Sequence, residues 1–302
     1  MYQATRPARS TFVTLRDWRY HLLEWGAPSP GQPPLVLVHG WMDVAASWQF
    51  MVDALAQERW IVAPDWRGYG QTTGPVPRPD AYWFPDYLGD LDTLLDHLSP
   101  GQPVDLVGHS MGGNVAMMYA GVRPERIRRL VNLEGFGLPA TRPAQAPTRL
   151  AQWLDEIKAL RRGELDLKTY DSAAGVAGRL MKTNPRLGAD KAAWLAQHWA
   201  APDAQGRWAV LGDAAHKVVN PQLYRVDEAL AIYARISAPV LSVIASDDSL
   251  GQWWKGKFTL AEHRERVQHV PQLTEARIDD AGHMLHHDQP ERLAALIEDF
   301  LG

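Results

Sequence analysis

The chain has 302 residues, 46% of them hydrophobic, and no cysteine; that is room for one large core, and it excludes disulfides, thiolate metal sites and a cysteine nucleophile. A formal net charge of -4, with both signs scattered, offers no basic footprint for nucleic acid and no polybasic patch for a membrane surface. Met1 to Ser10 carries arginines without an apolar run and no stretch reaches the length of a membrane span, so a cytoplasmic protein is expected.

Phe12 to Leu15 and Arg19 to Glu24 alternate around Arg16-Asp17-Trp18, the pattern of a hairpin. After the Pro/Gly connector Pro28 to Pro34, Leu35-Val36-Leu37-Val38 is a continuous apolar run, as a parallel strand buried on both faces requires. It ends in His39-Gly40-Trp41. Ser47 to Ala56 predicts a helix and Trp60 to Ala63 a strand. That strand leads into Pro64-Asp65-Trp66-Arg67-Gly68-Tyr69-Gly70, a loop whose glycines permit turns and whose Asp65 and Arg67 are expected to brace it. Leu88, Leu91, Leu95 and Leu98 fall at helical spacing within Asp86 to Leu98, a core-packing stripe.

Val104-Asp105-Leu106-Val107 predicts a short buried strand. The segment after Gly108-His109-Ser110-Met111-Gly112 predicts a helix with Val115, Met118, Tyr119 and Val122 on one side. Strand, sharp turn, helix is the setting in which G-x-S-x-G acts as a nucleophile elbow. Such a turn strains the serine backbone and leaves no room two residues to either side, where glycine stands here. The following helix would aim its N-terminal N–H groups at the place where an oxyanion forms. Taken alone, the pentapeptide also fits an ordinary strand-helix turn with a serine N-cap.

Arg128 to Leu133 is a further strand, ending in Glu134-Gly135-Phe136-Gly137-Leu138-Pro139. Beyond Pro139 no strand-helix alternation is visible as far as about Tyr233. Apolar helices over Leu150 to Leu160 and Ala189 to Ala200 are separated by Pro and Gly. Trp153, Trp194, Trp199 and Trp208 lie there and are expected mostly as the core of that segment, with one or two lining a pocket. Alternation resumes with Pro239 to Ala245, then Ser246-Asp247-Asp248-Ser249. Thr274 to Ile278 is a last strand before Asp279-Asp280-Ala281-Gly282-His283. Asp288 and Glu291 have capping-box spacing around Pro290, and Leu293, Leu296, Ile297 and Phe300 form the apolar face of a closing helix.

Four motifs in this order, His39-Gly40-Trp41, Asp65 to Gly70, the elbow, and Asp280 to His283, resemble those of the α/β-hydrolase fold family. The resemblance covers nearly the whole chain outside the segment after Pro139. It implies an α/β fold with a mostly parallel central sheet flanked by helices: a core formed by residues 1–138 and 234–302, and an inserted helical cap, 139–233, over the active-site mouth. It implies Ser110 as nucleophile and His283 as its base, with the backbone N–H groups of Trp41 and Met111 forming the oxyanion hole. Two acids compete to orient the histidine. Asp248, three residues after Ala245, fits the family's G-x-x-D except for alanine in place of glycine, and is favoured; its neighbour Asp247 could serve if the loop shifts. Glu134 is the alternative, in a Glu-x-x-x-x-Pro context similar to that of haloalkane dehalogenases.

A serine hydroxyl attacks only if a base takes its proton, and the base needs an acid to hold its tautomer. Members of this fold that attack saturated carbon, the dehalogenases and epoxide hydrolases, use aspartate as nucleophile, because water can cleave the resulting ester; serine would leave a stable ether. Ser110 therefore points to a carbonyl substrate. The expectation is a carboxylesterase-like serine hydrolase working through an acyl-enzyme, with the Trp-rich segment suggesting an apolar or aromatic acyl part. A lactonase, amidase, perhydrolase or C–C bond hydrolase would share the triad, and a hydroxynitrile lyase or a non-hydrolytic ligand-binding member stays open. Trp41-Met42-Asp43 departs from the Gly-rich segment of the C–C hydrolases, and Gly108 to Gly112 does not match the GGSWG elbow of proline iminopeptidases. The partner expected is a small-molecule ester, with no nucleic acid, no membrane and no cofactor; the oligomeric state is not legible. No metal is expected either, since His286 and His287 lack a matching carboxylate motif and read as surface or cap contacts.

Overall fold

Arg16 and Asp17 both take positive φ, 46° and 66°, which is what a two-residue hairpin turn needs, and they join β1 (Arg9–Leu15) to β2 (Trp18–Trp25). The structure is a computed structural model that describes residues 2–75 and 78–302. Next come β3 (Leu35–Val38), α1 (Gln49–Ala54), β4 (Ile61–Pro64), α2 (Phe84–Leu98), β5 (Val104–His109), α3 (Met111–Val122) and β6 (Ile127–Leu133). The stretch expected as a cap holds α4 (Ala146–Arg161), β7 (Thr169–Tyr170), α5 (Ala173–Thr183), α6 (Ala189–Trp199), β8 (Ala200–Pro202), β9 (Trp208–Val210) and α7 (Val226–Tyr233). The chain then continues through β10 (Val240–Ala245), α8 (Ser249–Trp254), α9 (Leu260–Val267), β11 (Leu273–Ile278), α10 (Leu285–Asp288) and α11 (Pro290–Leu301).

The main sheet has eight strands in the order β1-β2-β4-β3-β5-β6-β10-β11. Only the β1–β2 and β2–β4 pairs are antiparallel; the rest of the ladder is parallel. The apolar run of β3 shows why both faces need cover. Leu35 and Leu37 join a core layer with α1 and α11, while Val36 and Val38 join the opposite layer with α2 and α3. All four are fully buried, each contributing roughly 1.5–3 kcal/mol of hydrophobic stabilisation.

The structure departs from the sequence expectations in several places. Val122, expected on the apolar side of α3, is exposed. The helix is instead buried almost all round because it lies between the sheet, α2 and α7; a Cβ on Gly121 would stand 2.1 Å from the Ile232 carbonyl oxygen, so a small residue lets α7 approach. The stretch 139–233 is not purely helical, since β7, β9 and β8 form a small antiparallel sheet whose two- and three-residue strands are too short to show alternation. Its tryptophans build no core of their own: Trp194, Trp199 and Trp208 lie half-buried against the main core, and Trp153 packs edge-on to Trp83. Asp288 does not cap α11, whose N-cap Gln289 makes no side-chain cap; Asp288 accepts instead from Gly282 N–H at 2.8 Å and Asn184 Nδ2 at 2.7 Å. No helix among the described residues is long and apolar enough to cross a membrane.

Candidate active site

Ser110 stands between β5 and α3 at φ 54° and ψ -116°, a conformation that costs a non-glycine residue of order 1–3 kcal/mol and persists only where its surroundings fix it. Its N–H donates to the Leu133 carbonyl at 2.8 Å and its carbonyl accepts from Asn114 N–H at 3.0 Å. The flanking glycines are obligatory. A Cβ on Gly108 would lie 2.4 Å from the Gly112 oxygen, and one on Gly112 would lie 2.3 Å from the Val38 oxygen. Close approach of these backbones seats the elbow against the end of β3.

The end of β3 is fixed by His39, which is buried and bonded on both sides. Its Nε2 accepts from Trp66 N–H at 2.9 Å, which leaves the proton on Nδ1 to donate to the Gly40 carbonyl at 2.7 Å. Because a trans peptide points its C=O and N–H in opposite directions, holding the Gly40 carbonyl turns the Trp41 N–H away from the His39 ring. A Cβ on Gly40 would meet the Ser110 Cβ at 3.1 Å, so this peptide borders the serine directly. Neither Trp41 N–H nor Met111 N–H is spent on a hydrogen bond among the described residues, and Met111, as the first residue of α3, has no intrahelical acceptor.

His283 lies on the loop after β11, beside the elbow. The ring of His109 packs 4.6 Å from its ring, and His109 Nε2–H donates to the His283 carbonyl at 2.8 Å, tying the two loops together. The acid facing His283 is Glu134, not Asp248: Nδ1 of His283 lies 3.2 Å from Glu134 Oε2. Glu134 follows β6 directly at φ 54°, is buried, and its Oε1 accepts from Ala245 N–H at 2.7 Å. Asp248 is exposed and its carboxylate is spent as the N-cap of α8, accepting from Gly251 N–H at 2.8 Å. Asp247 is paired with Arg186 at 2.7 Å. The favoured acid therefore does not reach the imidazole, because capping draws it into the turn that starts α8. No hydrogen bond joins Ser110 Oγ to His283 among the described residues; in a resting site such contacts often tighten only when substrate arrives.

Burial sets the electrostatics. It pushes the Glu134 carboxyl up to about 7 and holds the His283 imidazole well below its usual range, so the histidine rests uncharged, as a base must. Asp65 and Arg67 brace their loop as expected. Asp65 accepts from Ala45 N–H and Gln71 N–H and pairs with His21 at 2.7 Å, while Arg67 forks onto buried Asp90. His286 and His287, expected at the surface or against the cap, are buried behind the elbow because α10 packs on α1; His287 Nε2 lies 3.1 Å from Ser47 Oγ.

Two tryptophans border the site from outside. Trp253 meets the His283 ring edge-on at 4.3 Å and is 49% exposed; Trp41 is 53% exposed. A cavity of about 280 Å³ lies elsewhere, lined by His21, Gln49, Asp65, Trp194 and His198 among others, and reaches neither Ser110 nor His283. The positioning roles of His39 and His109 were not foreseen. The signal for them was the placement of each next to a motif glycine or serine.

Comparison with known proteins agrees with this fold. The sequence model of the alpha/beta hydrolase fold matches residues 33–290. A serine hydrolase-like protein of Danio rerio is 29% identical over 295 residues, covering 92% of this chain and 83% of its own length. A cis-3-alkyl-4-alkyloxetan-2-one decarboxylase of Shewanella oneidensis is 26% identical over 310 residues, covering all of this chain and 91% of its own. Among solved structures, the thioesterase domain from the curacin biosynthetic pathway superposes with a TM-score of 0.79 at 26% identity, covering 96% of this chain and 99% of that domain.

Proposed function

The chain belongs to the alpha/beta hydrolase fold family, and on that premise we propose that it is a serine hydrolase cleaving carboxylic esters through an acyl-enzyme. The observation that carries the reading is the 3.2 Å contact of His283 Nδ1 with Glu134, on a loop tied to the strained Ser110. In this reading Ser110 Oγ attacks the ester carbonyl carbon as His283 Nε2 takes its proton, and ionised Glu134 stabilises the imidazolium. The N–H groups of Trp41 and Met111 hold the oxyanion, each worth about 2.7–4 kcal/mol of transition-state stabilisation. His283 then returns the proton to the leaving alcohol, and a water, deprotonated by the same imidazole, cleaves the acyl-enzyme.

An apolar or aromatic acyl group fits the exposed faces of Trp41 and Trp253. Residues 139–233 act as the cap, and two contacts support this: Arg186 with Asp247 and Asn184 with Asp288 fasten the segment after α5 to the loop that follows β10 and to α10. Lactone opening is the second reading; what favours it is the likeness to a relative named as a decarboxylase of a four-membered lactone, which would share recognition of the lactone ring though not its hydrolysis. Hydrolysis of a short aryl ester tests the first, beside a panel of lactones and amides. Ser110→Ala should lower kcat/KM at least about 10⁴-fold. Undiminished turnover by that variant would remove the mechanism.

A further inference from the structure

Beside the elbow, three buried side chains converge. Asp43, His109 and His286 each place a ligand atom within 4.8 Å of the other two, and none is more than 6% exposed. Each keeps at least one atom without a hydrogen bond among the described residues, although the Trp199 side chain also approaches the Asp43 carboxylate. Asp43 Oδ1 is occupied by Val44 N–H at 2.9 Å and Ser47 Oγ–H at 2.5 Å, but its Oδ2 has no hydrogen bond among the described residues. His109 donates its Nε2 proton to the His283 carbonyl, so its Nδ1 must carry a lone pair, and that nitrogen is also unpartnered. Both ring nitrogens of His286 are unpartnered, with the ring set between those of Trp48 and His109 at 4.9 and 4.5 Å. Unsatisfied polar atoms at this depth call for an occupant.

We propose that Asp43, His109 and His286 form a buried site for a divalent first-row transition cation, Zn²⁺ by the best fit. Two imidazoles and one carboxylate are the donor set such ions take, whereas Mg²⁺ and Ca²⁺ favour oxygen alone and Cu⁺ favours sulfur. The bond from His109 Nε2–H to a backbone carbonyl is the outer support that metal-bound histidines characteristically have, fixing the tautomer and the ring plane. Tetrahedral zinc sets its donors about 3.3–3.5 Å apart, so the triangle has to draw in slightly. The ion takes no part in acyl transfer. It acts on position, holding the ring of His109 that pins the His283 loop to the residue before Ser110.

The test is metal retention by the purified full chain, which does not depend on the ester-hydrolase reading. After stripping with a chelator, loading with Zn²⁺ or Co²⁺ and desalting, the protein should keep one equivalent by elemental analysis, and the Co²⁺ form should show visible d–d absorption. His286→Phe and the shape-preserving Asp43→Asn should each weaken retention at least about tenfold and lose the band, with folding confirmed by circular dichroism. His97→Gln, at an exposed histidine, should retain the metal. No retained metal in the unmodified protein, or retention unchanged in Asp43→Asn, would overturn the proposal and assign the triangle to a bound water.

Discussion

Glu134 and Asp248 divide two tasks that their sequence contexts leave open. Both follow core strands that are neighbours in the sheet, but Glu134 leaves β6 at once, whereas Asp248 stands three residues beyond β10, where a helix begins. A carboxylate at a helix start has N–H donors within reach, and Gly251 N–H takes Asp248. Glu134→Gln should therefore lower kcat about 10³–10⁴-fold on an aryl ester, and Asp248→Asn should change it less than about threefold. A reversed pattern would restore Asp248 as the acid. Because Glu134 must be ionised to support the imidazolium and burial raises it to about 7, kcat/KM should climb as pH rises through about 7 and then level off. A profile flat from pH 5 to 8 would contradict that role.

Among the elements, the loop after β4 shows how much of the scaffold serves to hold the elbow's neighbour β3. Trp66, on this loop, fixes His39, and Arg67 locks the loop to α2 through Asp90, which is fully buried and also accepts from the Tyr20 hydroxyl. Removing one partner of a buried pair leaves the other charge uncompensated, so Asp90→Ala should destabilise the fold by about 3–5 kcal/mol in urea titration. A loss under about 1 kcal/mol would mean the pair does not anchor the loop. Most of this was legible in the sequence. The apolar run of β3, the Asp65 to Gly70 loop and the elbow each carry their constraint in adjacent residues, and the structure has them where the spacing put them. What stayed hidden depends on contacts distant in sequence. Which acid meets His283 is decided by how β6 and β10 exit the sheet. His286 and His287 are buried only because α10 packs against α1. The strands β7 to β9 are too short to alternate.

For the whole molecule, the histidines dominate the response to acid. His39, His109, His216, His263, His283, His286 and His287 are all held below their ordinary range by burial. A group whose folded pKa is depressed lets the unfolded chain bind the proton first, so stability present above about 6.5 is lost as pH falls below it. Glu134 and Asp43, both raised by burial, act in the opposite sense and offset part of the loss. The melting temperature should fall steadily between pH 7 and pH 5; a constant value over that interval would contradict the buried, neutral state of these rings.

The catalytic proposal joins these scales, because a strained serine, a neutral histidine and a buried glutamate matter only if they act as one unit. Intact-mass analysis after treatment with a fluorophosphonate examines that unit directly. A single adduct on Ser110 is expected, absent in Ser110→Ala, strongly slowed in His283→Ala and Glu134→Gln, and formed at the ordinary rate in Asp248→Asn. Failure of the unmodified protein to form an adduct, or labelling that persists in Ser110→Ala, would contradict it.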